Sequence, residues 1–227
     1  MERTTNSKIA AYTRIAGSLL FLAGVIIFMG IITGEVFYVG VYSTSSNTIS
    51  DLGVAMPSAS IFNATMIGAG TMVLVGTYFV QRAIRKRWFS ILLGLAGLGV
   101  LGVGIFPENH GTIHQVFSLL TFISGAFTAL LSARVISGPF RYISITLGSI
   151  AIAAMCAVNI LTPLLGLGGT ERWVAYPSVL WVCGFGAYLL GTGHMPDLNY
   201  GMTSSELKKA TTEVQRLTEK ADEGEKE

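Results

Sequence analysis

The chain has 227 residues, 51% of them hydrophobic and only 12% charged, with a net charge of +2, and its mean hydropathy is +0.60. That balance excludes a soluble globular domain, in which about 25% of residues carry charge. It also provides no basic surface for nucleic acid, and no P-loop, dinucleotide fingerprint or C-x-x-C pair is present.

Apolar runs of roughly 20 residues match a hydrocarbon core of about 30 Å crossed by a helix. Six are found in chain order. A basic arm, 1–13, precedes the first run, 14–34, which is long enough to span and lacks a clear small-residue cleavage site; it reads as a retained signal anchor. Gly30 and Gly34 at its end form a G-x-x-x-G suited to close packing within the bundle. The segment from Glu35 to Ser58 follows, with Asn47, Ser50 and Asp51. The second run, 59–80, carries Asn63 and leads to QRAIRKR, an anionic-lipid contact and topology determinant. The third, 88–106, is glycine-rich and leaves the membrane at Pro107. FPENHGTIHQ then brings Glu108, Asn109, His110, His114 and Gln115 ahead of the fourth, 113–136. The fifth, 142–162, closes with Asn159 and Thr162. Glu171 and Arg172 occupy the next loop, and the sixth run covers 175–193. Cys156 and Cys183 fall within apolar runs and read as small core residues.

Strands of a membrane barrel alternate in polarity over about 10 residues, and these runs do not, so helices are the structure that satisfies the backbone in lipid. The predicted fold is an all-α integral membrane protein of six helices, three antiparallel hairpins in one bundle over 14–195, followed by a tail, 196–227. In the tail Leu207, Ala210, Val214, Leu217 and Ala221 recur at spacings of 3 and 4, one stripe of a short amphipathic helix that could pair with a partner protein. Fourteen basic residues fall on the arm, the even-numbered loops and the tail, and one, Arg172, on the other face. The positive-inside rule then places both termini in the cytoplasm of a plasma-membrane protein.

The face opposite the basic loops gathers the chemistry. His110 and His114 form H-x-x-x-H, which on a helix turns both imidazoles to one side; with Asp51 they make a possible zinc set, Glu108 serving as ligand or base. The alternative is histidines at a helix start, bonded to loop carbonyls or lipid phosphates, with Asp51 as a turn residue. Thr112 to Gln115 reads as a capping box, which would leave His110 in the loop. Ser50 is a nucleophile only with a histidine nearby, which spacing does not show. Arg172 is expected in an ion pair with Glu171, Glu108 or Asp51, or on a lipid phosphate. Apart from Arg14 and Arg134 at their ends, the spans hold no Asp, Glu, Lys or Arg, which argues against a proton-coupled transporter; Asn63 and Asn159 remain as pore-lining candidates.

SNTISDLGV, and GIFPENHGTIHQVFSLLTFISGA at the third and fourth runs, resemble the prokaryotic six-helix membrane proteins grouped as domain of unknown function 998. The resemblance covers about residues 14–195. It implies a Ser-Asp signature at Ser50 and Asp51 and a Phe-Pro-acidic-His segment at Phe106, Pro107, Glu108 and His114, with His110 a looser match. A more distant likeness is to alkaline-ceramidase-like membrane hydrolases, which join a Ser, an Asp and three histidines at zinc in seven helices; a third histidine on this face and a seventh helix are missing here. The architecture is also similar to the Frag1/DRAM/Sfk1 group of small lipid-linked membrane proteins.

Without a recognisable catalytic set, the leading reading is a lipid-interacting or accessory membrane protein whose polar cap (Asp51, Glu108, His110, His114, Arg172) binds headgroups or a partner. A zinc-dependent lipid hydrolase, with Asp51, His110 and His114 as ligands and Glu108 as base, is the alternative. A channel or small-solute transporter is third.

Overall fold

The computed structural model describes residues 2–192 and Thr212, with side chains from residue 7 onward. The tail stripe Leu207, Val214, Leu217 and His194 lie outside the described residues. Six helices follow in order: α1 (Glu2–Val36), α2 (Ser58–Ile84), α3 (Arg87–Ile105), α4 (Thr112–Ser132), α5 (Phe140–Cys156) and α6 (Val158–Thr192). All but α5 are long and apolar enough to cross a membrane, and no strand occurs among the described residues. The protein is an all-α membrane bundle. The arm at 2–13 is the first part of α1, helical and continuous with the span.

Large side chains face outward, as lipid allows: Ile160 is 68% exposed and Leu164 74%. The interior combines buried aromatics, Phe62, Phe89, Trp181 and Phe185, with small and hydroxyl residues, Ser58, Thr128, Ser132 and Ser144 being fully buried. Lipid tails are as apolar as leucine, so helices gain by approaching closely rather than by hiding greasy surface. Gly30 faces Thr65 across α1 and α2, Gly70 meets Leu101, Gly99 meets Thr121, and Gly148 meets Leu130. At Gly186 a Cβ would strike the backbone of Phe21, which brings α6 against α1. Each helix packs on its sequence neighbours and α6 closes the ring on α1. In each pair, contacts advance along one helix as they retreat along the other, so neighbours run antiparallel.

The departure from expectation comes after α5. The chain bends at Ala157 (φ −98°, ψ 15°) and continues as a short helical stretch, 158–165. It then breaks at Gly166, whose φ of 76° and ψ of 172° are non-helical, and resumes. The predicted fifth run is thus α5 plus this stretch. The loop expected around 163–174 is largely helical, and Glu171 and Arg172 belong to α6 rather than to a loop.

The break receives the first long connection. Ser45 Oγ donates to Leu165 O at 2.8 Å, and the Gly168 amide donates to Ser45 O at 2.8 Å. A side chain at Gly166 would overlap Ser45, and one at Gly168 would overlap the Asn47 carbonyl. Positive φ and missing Cβ are both needed here, so glycine is the residue that fits. Both cysteines are free, and Cys156 is exposed on the flank of the bundle rather than in its core.

Candidate functional site

Three connections meet at one end of the bundle: the segment between α1 and α2, the link between α3 and α4, and the break in α6. A short 3-10 turn, Ser50–Gly53, opens the approach to α2, and a second, Glu108–His110, follows Pro107. Gly111 (φ 59°, ψ −119°) is the N-cap of α4, so the capping box at Thr112 does not form.

Ser50, 8% exposed, and His114, 4% exposed, are buried together. His114 Nε2 lies 3.1 Å from Ser50 Oγ, and His114 Nδ1 lies 2.8 Å from Phe106 O. A carbonyl only accepts, so Nδ1 carries a hydrogen, which turns Nε2 to the serine hydroxyl. Ser50 Oγ is also 3.0 Å from Glu171 Oε1. The second oxygen, Oε2, accepts from the Ile49 amide. The result is a chain of groups, Glu171–Ser50–His114–Phe106, drawn from α6, the first connection, α4 and the C-cap of α3.

Beside it, burial together with the neighbouring Asp51 carboxylate pushes Glu108 above the usual carboxylate range. A like charge nearby raises the cost of ionising a carboxyl. Asp51 Oδ2 accepts from the Thr48 amide at 2.9 Å and from Asn47 Nδ2 at 3.2 Å, the turn role open to it from sequence. Thr48 Oγ1 donates to Glu108 Oε2 at 3.4 Å.

Arg172 is buried, and its pair differs from every partner expected. Its Nη2 donates to Glu35 Oε1 at 2.9 Å and to the Tyr42 hydroxyl. Its Nη1 meets the carbonyls of Thr44 and Asn47, both at 3.0 Å, and Gly168 at 2.9 Å. These acceptors leave little capacity for a lipid phosphate. Arg172 is a strap that ties the first connection to α1 and α6. Tyr42 donates to Thr48 O at 3.0 Å. Burial holds its hydroxyl up at about 12 despite the nearby Arg172 guanidinium, so it stays a neutral phenol.

The expected zinc set is not assembled. His110 is exposed on the 3-10 turn, with Nδ1 facing Pro107 O at 3.2 Å and Asn109 Oδ1 at 3.1 Å. His114 turns inward with both nitrogens engaged, and Asp51 caps its own turn. The H-x-x-x-H spacing fails because Gly111 redirects the chain between the two residues. Among the described residues no group of three or more His, Cys, Asp or Glu side chains is disposed to hold a metal ion, so these residues do not fit the zinc centre that the ceramidase likeness implies. Asn63 Nδ2 donates to Gly53 O at 3.1 Å, and Asn159 is exposed.

The family described as Protein of unknown function (DUF998) matches residues 21–188. The chain belongs to the DUF998 family. Every residue of the cluster lies inside the matched range of this DUF998 protein. No curated protein and no solved structure matches it. Sequence reasoning missed the roles of Glu35, Tyr42 and Glu171. For Glu171 a signal was present: an acidic–basic pair after LGLGG in an apolar stretch, since charges at membrane depth are seldom idle.

Apolar space adjoins the site. A cavity of about 70 Å³ is lined by Ser50, Glu171 and Tyr176 among apolar side chains. A second, about 80 Å³, shares the walls Ile27, Val100, Phe122, Ala175 and Val179 with it and reaches Trp181. A larger groove of about 490 Å³ lies between α5 and α6, lined by Leu147, Ile150, Trp173, Tyr176 and Leu180 with Arg172 and Ser45.

Proposed function

We propose that this DUF998 protein is a membrane-embedded serine hydrolase acting on the acyl bond of a lipid. The observation that carries the reading is the 3.1 Å approach of His114 Nε2 to Ser50 Oγ, with Nδ1 committed to a carbonyl 2.8 Å away. A nucleophile, a base and a group that orients the base make the working set of serine acyl transfer, and here a backbone carbonyl takes the orienting place of the usual carboxylate. Ser50 attacks the acyl carbonyl and its proton passes to Nε2. The imidazolium then protonates the leaving alcohol or amine, and water, deprotonated by the same nitrogen, releases the acid. Glu171 holds Ser50 from the other side, and the Glu108–Asp51 pair supplies a proton store beside the base. This replaces the zinc mechanism with one in which Ser50, not Glu108, carries the reaction.

The charge asymmetry of the loops supports a plasma-membrane orientation with both termini in the cytoplasm and the Ser50 cluster on the other face. The experiment is labelling of purified protein with an alkyl fluorophosphonate, read by mass spectrometry of the adduct. The expected adduct is on Ser50, absent in Ser50→Ala and slowed about 100-fold or more in His114→Ala. A folded preparation that neither labels at Ser50 nor cleaves lipid esters would falsify the hydrolase.

A second reading, a non-catalytic lipid-binding accessory protein, is favoured by the groove between α5 and α6, whose volume of about 490 Å³ falls in the range of whole-ligand sites, about 300–1,000 Å³. Lipid retained in native mass spectra of Ser50→Ala, with no turnover in the wild type, would select it.

A further inference from the structure

We infer that substrate reaches Ser50 sideways from the bilayer, through the groove between α5 and α6, with Tyr176 as the partition between groove and nucleophile. This rests on the hydrolase reading and adds the route and the substrate class: a lipid ester or amide whose acyl chain lies in the groove. Three observations converge. First, Ser50 is 8% exposed and His114 4%, so the pair is closed to solvent. Second, the space that does reach Ser50 has apolar walls, which a water-soluble substrate would not cross. Third, Tyr176 is common to the linings of that inner cavity and of the flank groove.

The groove's own chemistry matches an acyl chain in place within a helix apolar enough to span the membrane. Leu147 and Ile150 of α5 face Trp173 and Leu180 of α6 along it, and its polar atoms cluster at the Thr44, Ser45 and Arg172 end. An amphiphile lying there has its chain along α5 and α6 and its polar end beside the first connection, which carries Ser50. The groove lies beside the break at Gly166, whose neighbours Leu165 and Gly169 line it. Tyr176 packs against Phe28 at a ring separation of 5.4 Å and is followed by Pro177, which removes a helix hydrogen bond next to it.

The test uses the full chain in proteoliposomes and two fluorophosphonates, one with a long alkyl chain that partitions into the bilayer, one small and water-soluble. Each phosphonylates Ser50 Oγ, expels fluoride and leaves the hydroxyl proton on His114. Filling the groove with Ile150→Trp should slow the long-chain probe about tenfold, and opening the partition with Tyr176→Ala should speed it, while the small water-soluble probe, barred from the closed pair, labels slowly in all three proteins. Equal rates for both probes in all three proteins, with labelling still abolished by Ser50→Ala, overturn the lateral route and leave the hydrolase standing. If no labelling depends on Ser50, the hydrolase falls, and a photoactivatable phospholipid in the Ser50→Ala protein decides the groove alone. Crosslinks on the α5 and α6 peptides that Ile150→Trp removes uphold lipid in the groove; their absence there overturns it.

Discussion

Ser50 has one hydroxyl hydrogen and two acceptors within reach, so the protons of its neighbours decide where it points. With Glu171 as a neutral acid donating to Oγ, Ser50 donates to His114 Nε2 and is ready to be deprotonated. With Glu171 ionised, Ser50 donates to the carboxylate, and Nε2 bonds to it only as an imidazolium. The two arrangements differ by a proton moved along the chain, and the Phe106 carbonyl is satisfied in both. Glu108 gives a cleaner pH prediction. Its folded-state proton is held more tightly than in the unfolded chain, so stability from this group is fully present below the ordinary glutamate range and is lost as pH rises through its raised value. His114, which lowers that value, and Asp51 and Thr48 are the groups that face it. Thermal unfolding in detergent should show the wild type losing stability across that window while Glu108→Gln stays level; parallel curves would remove the buried proton. A polar cap of Asp51, Glu108, His110, His114 and Arg172 was the grouping legible in the sequence, with Ser50 a nucleophile only given a histidine nearby. The serine–histidine contact was not legible, since it joins positions 64 apart on separate elements, and spacing along one strand of sequence holds no trace of it.

At the scale of elements, the first connection is ordered less by its own turns than by α6. Arg172 and Gly168 hold it, the one by hydrogen bonds to carbonyls, the other by having no side chain where Asn47 passes. Arg172→Met leaves Glu35 unpaired and should cost about 3–5 kcal/mol, measurable by unfolding in mixed detergent. Arg172→Lys should recover only part of it, because an ammonium cannot match the planar fork. Gly168→Ala should lower fluorophosphonate labelling at Ser50 about tenfold or more, since the displaced backbone carries Ile49 and Ser50 with it; unchanged labelling would detach the connection from the chemistry. The six apolar runs were readable to within a few residues at most ends because lipid leaves a chain little choice. The break at Gly166 was not. Pro163 followed by LGLGG read as a loop, yet helix forms on either side of the single non-helical residue once the first connection is present to cover it.

For the whole molecule, the ring closed by α1 and α6 sets every basic loop at one end and the Ser50 cluster at the other. In a background lacking Cys156 and Cys183, cysteine at the exposed Ser46 should react with an impermeant maleimide added outside cells, and cysteine at Lys86 only after permeabilisation. Thr170, though at the same end as Ser46, is 2% exposed and would report nothing. Reaction at Lys86 in intact cells would invert the orientation.

The order of synthesis gives the strap at Arg172 a further meaning. Ser50 leaves the ribosome early, His114 midway, and Glu171 with Arg172 only near the end of the bundle. Until then Glu35 and Tyr42 have been inserted without their cation, and the connection bearing Ser50 lacks its hydrogen bonds to α6. A nascent chain halted after Cys156 is therefore a membrane protein already, but one carrying an unpaired acid. Arrival of the last helix completes the charge balance at Glu35 and brings Glu171 to Ser50 in one event.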